Sequence, residues 1–258
     1  MPRFSANISM LFGELEFPER FEAAAGAGFK AVEIQFPYAW NLRQLAGIAA
    51  HVGVEVALIN IPAGDARKGE RGIACLPGRA EEFREGVARA IEYARALGCA
   101  RMNCLAGVAP QDADRAVLRR TYVSNLRYAA GELAAAGMTL LVEPVSTHAV
   151  PGFFLSRSAD AFALVDEVGA DNLKVQYDLY HMRLMGDDLA AEIAANLGRI
   201  GHMQLADVPG RHEPGSGTID FPALFDLADR LGYRGWIGAE YLPSGKTADS
   251  LAWAKNYL

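Results

Sequence analysis

Short apolar, β-branched runs alternate with longer stretches rich in Ala, Leu, Glu and Arg from one end of the chain to the other. Eight runs read as strands: FSANISM (4–10), KAVEIQF (30–36), VEVALINI (54–61), ARMNCL (100–105), MTLLVE (138–143), LKVQYD (173–178), GHMQLAD (201–207) and GWIGAE (235–240). Between and after them lie helical patterns over 18–27, 41–52, 79–97, 111–136, 156–168, 187–198, 220–231 and 246–256. Pro18 stands at a first helical position, and Ser156 and Asp220 are candidate caps.

Glycine closes most helical patterns, in AGAGF (25–29), HVGV (51–54), ALGCA (96–100), AAGMT (135–139), EVGAD (167–171), NLGRI (196–200) and RLGYRG (230–235). Glycine at that point takes the left-handed cap conformation at little cost, and the next strand follows at once. Short helix-to-strand and longer strand-to-helix connections describe a parallel sheet with its functional loops on one side. Eight such units with no break in composition predict an α/β fold of the (β/α)₈ TIM-barrel type, one domain over residues 1–258. An open doubly wound sheet is the alternative, but ANISMLFGE after the first strand has no G-x-G-x-x-G turn.

With 51% apolar and 22% charged residues, the composition is globular. A net charge of −6 disfavours a phosphate-backbone partner, so no nucleic acid is expected. Cys75, Cys99 and Cys104 are odd in number and form no C-x-x-C, which predicts buried free thiols in a reducing cytoplasm. MPRFSANISMLFGELEF does not read as a signal peptide, and no run approaches the ~18 apolar residues of a membrane span. The oligomeric state stays open, and a homo-oligomer is compatible with the sequence.

In a barrel of this kind the carboxyl ends of the strands carry the chemistry. Strand five ends at Glu143, strand six at Asp178, strand seven near Gln204 and strand eight at Glu240. An acid at a strand end can simply be solvated or cap a helix. Three acids and an amide on four consecutive strands instead predict a site for one divalent cation, since crowded carboxylates repel unless a cation holds them. Oxygen ligands of this kind suit Mg²⁺ or Mn²⁺ better than zinc.

Side chains alternate along a strand, so Gln176 and His202 should point into the barrel beneath Asp178 and Gln204. There they either orient the ligands or form a satisfied polar layer. His181, in YDLYHM, is a candidate to hydrogen-bond a substrate oxygen. VPGRHEPGSGTID (208–220) carries Arg211 and His212, and Arg211 suits a carboxylate or phosphate guest. PAGDARKGERG (62–72) holds Arg67, Lys68 and Arg71 and reads as an anion-gathering lid or a charged surface loop. Trp40, Trp236 and Trp253 read as packing residues and His51 as exposed, while some of Phe12, Phe36, Tyr38, Phe153 and Phe154 are placed to wall a small pocket.

EPVSTHAVPGFF (143–154), VQYDLYHM (175–182), GHMQLADVPGRHEPGSG (201–217), WIGAEY (236–241) and the long stretch 63–98 resemble the hydroxypyruvate isomerase family of xylose-isomerase-like barrels, which includes 2-oxo-tetronate isomerases. The resemblance implies that Glu143 and Glu240 are an acid/base pair and also metal ligands, with Asp178 and Gln204 completing the set. It implies substrate-facing roles for His181 and Arg211. Two departures stand out. The family more often has Asn-Thr-Arg where this chain has Ser146, Thr147 and His148, and Asn where it has Val208. Without arginine at 148, anion recognition is weakened or the preferred acid changes, which makes Arg71 and His148 further candidates for substrate binding.

The implied reaction moves a carbonyl between adjacent carbons of a small hydroxy-oxo acid through an enediolate, with hydroxypyruvate and 2-hydroxy-3-oxopropanoate as the pair. The same parts would run a ketose 3-epimerisation, differing in the carbon that is reprotonated. An abasic-site endonuclease on this barrel would need a histidine-rich trinuclear zinc site and a basic groove, against five histidines and a net negative charge. A non-catalytic sugar-acid binding protein is disfavoured by the presence of both glutamates.

Overall fold

The computed structural model describes residues 1–258. Eight parallel strands, β1 (Arg3–Asn7), β2 (Ala31–Ile34), β3 (Glu55–Asn60), β4 (Arg101–Cys104), β5 (Thr139–Val142), β6 (Leu173–Asp178), β7 (Ile200–Leu205) and β8 (Trp236–Ala239), pair in chain order, and β8 returns to β1. The barrel is therefore closed and leaves no strand edge. The helices are α1 (Glu19–Gly26), α2 (Leu42–Val52), α3 (Ala80–Leu97), α4 (Arg115–Ala135), α5 (Ser158–Val168), α6 (Leu179–Leu184), α7 (Leu189–Asn196), α8 (Phe221–Arg230) and α9 (Thr247–Ser250). No helix is long and apolar enough to cross a membrane.

The strands' alternation decides which side chains face the helices and which the barrel axis. Phe4 of β1 turns outward and meets Phe225 of α8 and Trp253 edge-on, with ring centroids 4.8 and 5.2 Å away. Burial of such a ring contributes about 1.5–3 kcal/mol. Its neighbour Ser5 turns inward and donates to Glu33 of β2. Register sets Asn7 beside Glu33, Gln176 beside His202, Asp178 beside Gln204 and Gln204 beside Gly238. The barrel interior is thus polar along much of its length, and the apolar core lies between strands and helices.

Several expected boundaries move. The pattern over 246–256 gives only α9 and a short 3₁₀ turn at Ala252–Ala254, because Trp253 and Tyr257 pack onto Phe4 and Phe225 instead of continuing a helix. α6 was not expected; it starts because Asp178 accepts the backbone N–H of Tyr180. Pro18 is the residue before α1, and Ser156 caps nothing: α5 begins after Arg157 without a side-chain cap. Asp220 does cap α8, through the N–H of Ala223. Gly53, Gly98 and Gly169 take the left-handed cap, whereas Gly198 sits in a 3₁₀ turn.

Candidate active site

The rim residues arrive together and buried. Glu143 follows β5 directly, Asp178 ends β6, Gln204 is the penultimate residue of β7, and Glu240 follows β8. Asn103 of β4 donates to Glu143 Oε2 at 2.7 Å. Glu240 Oε1 accepts from Asn7 Nδ2 at 2.9 Å and Gln35 Nε2 at 2.8 Å, and its Oε2 pairs with Arg211 Nη2 at 2.6 Å. Asp178 spends Oδ1 on capping α6, while its buried Oδ2 has no hydrogen-bond partner. Arg211 Nη2 stands 3.9 Å from that oxygen and His181 Nε2 3.6 Å.

Burial, then Glu240 and Asp178, push the Glu143 carboxyl well above its ordinary value. Burial also raises Glu240 and Asp178, with Arg211 opposing in both cases. His181 is pushed down to about 3 by burial and by Arg211, so its imidazole is neutral. Arg211 is itself mostly buried; burial works against its charge, but the three carboxylates outweigh that and raise its value.

Arg211 reaches the rim from the loop after β7 with φ of +59°, a conformation that costs a non-glycine residue energy and must be imposed by its surroundings. Buried Asp207 imposes it. Its Oδ1 accepts the N–H groups of Val208 and Ile219 and its Oδ2 those of Gly215 and Gly217, while its carbonyl accepts the N–H of Arg211. A Cβ on Gly217 would collide with the Val208 carbonyl, so the loop closes over Asp207 only with glycine there. Val208 receives Thr218 on its carbonyl and serves this loop.

Beneath the rim, Gln176 Nε2 donates to Gln204 Oε1 at 2.7 Å, and His202 Nε2 meets Glu33 Oε1 at 2.8 Å. Both point inward as alternation predicts. Sequence reasoning missed Glu33, which is fully buried and also takes Gln204 Nε2 at 2.8 Å. Burial pushes its carboxyl up, but His202, Ser5 and Gln204 more than offset that and hold it below the ordinary value. A lone acid amid the apolar residues of KAVEIQF was the available signal.

Glu143, Asp178 and His181 offer ligand atoms within 4.8 Å of one another and could hold a metal ion. Two ligands across one ion at about 2.0–2.6 Å stand roughly 4–5 Å apart, so the spacing fits. The unpartnered Asp178 Oδ2 and three buried carboxyls facing one guanidinium are what a cation would complete. Glu240 is tied up with Arg211, and Gln204 with Gln176 and Glu33. Glu143, His181, Arg211 and Glu240 open onto a cavity of about 790 Å³, whose lining also includes Tyr38, Arg71 and Phe153. His148 is exposed and not among its lining residues, although Ala149 and Val150 are. Arg67 is paired with Asp65 on the surface.

A family model described as a xylose isomerase-like TIM barrel matches residues 21–257. The chain belongs to that family. It is 48% identical over 258 residues to a 2-oxo-tetronate isomerase of Cupriavidus necator, covering all of this chain and 99% of that one. It is 48% identical over 257 residues to a hydroxypyruvate isomerase of Escherichia coli, covering 100% of each. A crystal structure described as AP endonuclease, family 2, from Brucella melitensis superposes with a TM-score of 0.98 at 44% identity, over 100% of this chain and 99% of that one. Related end to end to two named isomerases, this member of the xylose isomerase-like family is an isomerase.

Proposed function

We propose that the chain interconverts hydroxypyruvate and 2-hydroxy-3-oxopropanoate, with a 2-oxo-tetronate as the alternative substrate, using Glu143 and Glu240 as acid and base. The observation that carries this reading is two buried carboxyls of raised proton affinity opening, with Arg211, onto one cavity. A carboxyl acts as a base when ionised and as an acid when protonated, so the pair can take and return a proton. The cavity lies within the usual range for small-ligand pockets, so either acid fits.

Glu143, Asp178, Gln204 and Glu240 would hold one hard divalent cation, Mg²⁺ or Mn²⁺, with neutral His181 at its edge or among its ligands. When bound, the cation supplies Lewis-acid polarisation of the substrate's two reacting oxygens. Arg211 would fix the substrate carboxylate through its guanidinium fork. One glutamate removes a proton from the hydroxyl-bearing C3, which leaves an enediolate. The other delivers a proton to C2, the proton of the C3 hydroxyl passes to the C2 oxygen, and the carbonyl ends on C3. His181 donates a hydrogen bond to an oxygen of the enediolate. The chain has a net charge of −6, which disfavours a phosphodiester substrate.

Glu143→Gln and Glu240→Gln keep shape and an oxygen ligand but remove the base. Each should lower turnover by ~10² or more, with Mn²⁺ affinity, measured by calorimetry, falling less. In deuterated water the variant lacking the returning acid should still exchange the C3 proton without forming product, as followed by NMR, and the other should do neither. Near-normal turnover in both variants would refute the two-glutamate mechanism; activity restored by excess Mn²⁺ would reduce the glutamates to ligands.

A further inference from the structure

Glu33 sits one level below the rim, outside the cavity. Ser5 Oγ and His202 Nε2 meet its Oε1 at 2.6 and 2.8 Å, and Gln204 Nε2 and Asn7 Nδ2 meet its Oε2 at 2.8 and 3.4 Å. Ser5, Asn7 and Gln204 donate, and His202 can do so through Nε2–H. A carboxylate has about four acceptor sites and no proton to give, so the arrangement matches an ionised Glu33 with all four sites filled. Gly238 leaves the space: a Cβ there would land on the Glu33 carboxylate.

Two of those donors also serve the rim. The same Asn7 Nδ2 that approaches Glu33 donates to Glu240 at 2.9 Å. Gln204 has a donor end and an acceptor end, and which end faces where decides whether it can ligate a cation. An acceptor-only carboxylate at Oε2 compels Gln204 to turn its NH₂ downward. Its carbonyl then faces away, takes one hydrogen bond from Gln176 and keeps a second lone pair. Without that constraint the amide could rotate and present N–H groups to the cation, which repel it.

We propose that Glu33 is a positioning residue that fixes the polarity of the Gln204 amide and, through Asn7, the placement of Glu240. It rests on Gln204 and Glu240 being oxygen ligands of a divalent cation. Groups that orient metal ligands are commonly worth tenfold to a hundredfold in affinity.

The test is Mn²⁺ binding to the full chain by isothermal titration calorimetry, for wild type, E33Q, Q204E and the double variant, with thermal unfolding in EDTA alongside. E33Q should raise the Kd for Mn²⁺ by about tenfold to a hundredfold. In the Q204E background the sign should reverse. There two carboxylates are set against each other, and E33Q restores a donor facing an acceptor, so Mn²⁺ should bind more tightly. Loss of one negative charge would weaken Mn²⁺ in both backgrounds alike, and that result overturns the proposal. So does an E33Q protein that binds like wild type. Should E33Q fail to fold, E33D keeps the charge but is a methylene too short to reach both Gln204 and Asn7; it should bind Mn²⁺ more weakly, and wild-type affinity would overturn the proposal. If wild type takes up no Mn²⁺, the metal reading falls and this inference with it; if wild type binds and E33Q matches it, only this inference falls.

Discussion

Replacing Arg211 with methionine removes the one guanidinium that faces three buried carboxyls. Its Nη2 is 2.6 Å from Glu240 and 3.9 Å from Asp178, and those carboxylates are only 7% and 1% exposed. Breaking a buried pair from one side costs about 3–5 kcal/mol. The lower end applies, because Glu240 can take up a proton instead of staying charged. At about 2–4 °C per kcal/mol for a domain near this size, the melting point should fall by roughly 6–12 °C. The sign with pH follows from the raised carboxyls. Glu143 and Glu240 already stand above 4.5 and rise further without Arg211. Between 4.5 and their folded values the native state binds protons that the unfolded chain has released, so stability is lost as pH rises through those values. Thermal unfolding in EDTA should therefore show a smaller penalty at pH 5 than at pH 8, and Mn²⁺ should shrink it by supplying the missing charge. In steady-state kinetics, KM for the acid substrate should rise by roughly thirtyfold, from about 2 kcal/mol of lost charged contact. An equal penalty at both pH values, or an unchanged KM, would refute the assignment of Arg211 as the site's internal cation and carboxylate clamp.

Because Glu143, Asp178 and Glu240 all hold protons more tightly than usual, a cation must displace those protons; calorimetric Mn²⁺ affinity should climb as pH rises above about 4.5, and a flat profile would mean that these carboxyls are not the ligands. Asp207→Asn puts an NH₂ group against backbone N–H donors and should destabilise by about 3 kcal/mol, with KM rising as Arg211 loses its seat; chemical denaturation and kinetics that match wild type would remove Asp207 from that role.

The barrel was legible because seven of its eight units repeat one local rule, an apolar run followed by an amphipathic stretch and a glycine, and errors in one unit do not spread to the next. The rim was legible for a related reason. Alternation fixes which residue of LKVQYD or GHMQLAD faces inward, and chain order fixes which strands are neighbours. What failed came from one residue filling two roles or from contacts that span the chain. α6 exists because Asp178 caps a helix with one oxygen and faces the site with the other, and a residue read as a ligand was not also read as a cap. The last helix broke off because Trp253 and Tyr257 pack against rings more than twenty residues away. Glu33 stands out in KAVEIQF only as a lone acid, and its role was not legible because its partners lie on β1, β7 and β8 and meet only when the barrel closes.

That last failure bears on what the interior is for. Bulky aliphatic side chains usually fill such a barrel, and exchanging buried ionic groups for packed apolar ones is often neutral or stabilising. This chain instead sets Ser5, Glu33, Gln176 and His202 along its axis, and leaves a buried nitrogen of His202 and a buried oxygen of Gln176 without partners. By that general measure, leucine and valine would serve folding at least as well. It does pass order upward: Gln176 and Glu33 hold the two ends of Gln204, and Asn7 joins Glu33 to Glu240. A floor that costs stability while fixing the direction of the groups above it is the local conflict expected where a fold serves chemistry. On that argument the floor belongs to the site as much as the rim does, and substitutions there should alter affinity for the cation before they alter the barrel.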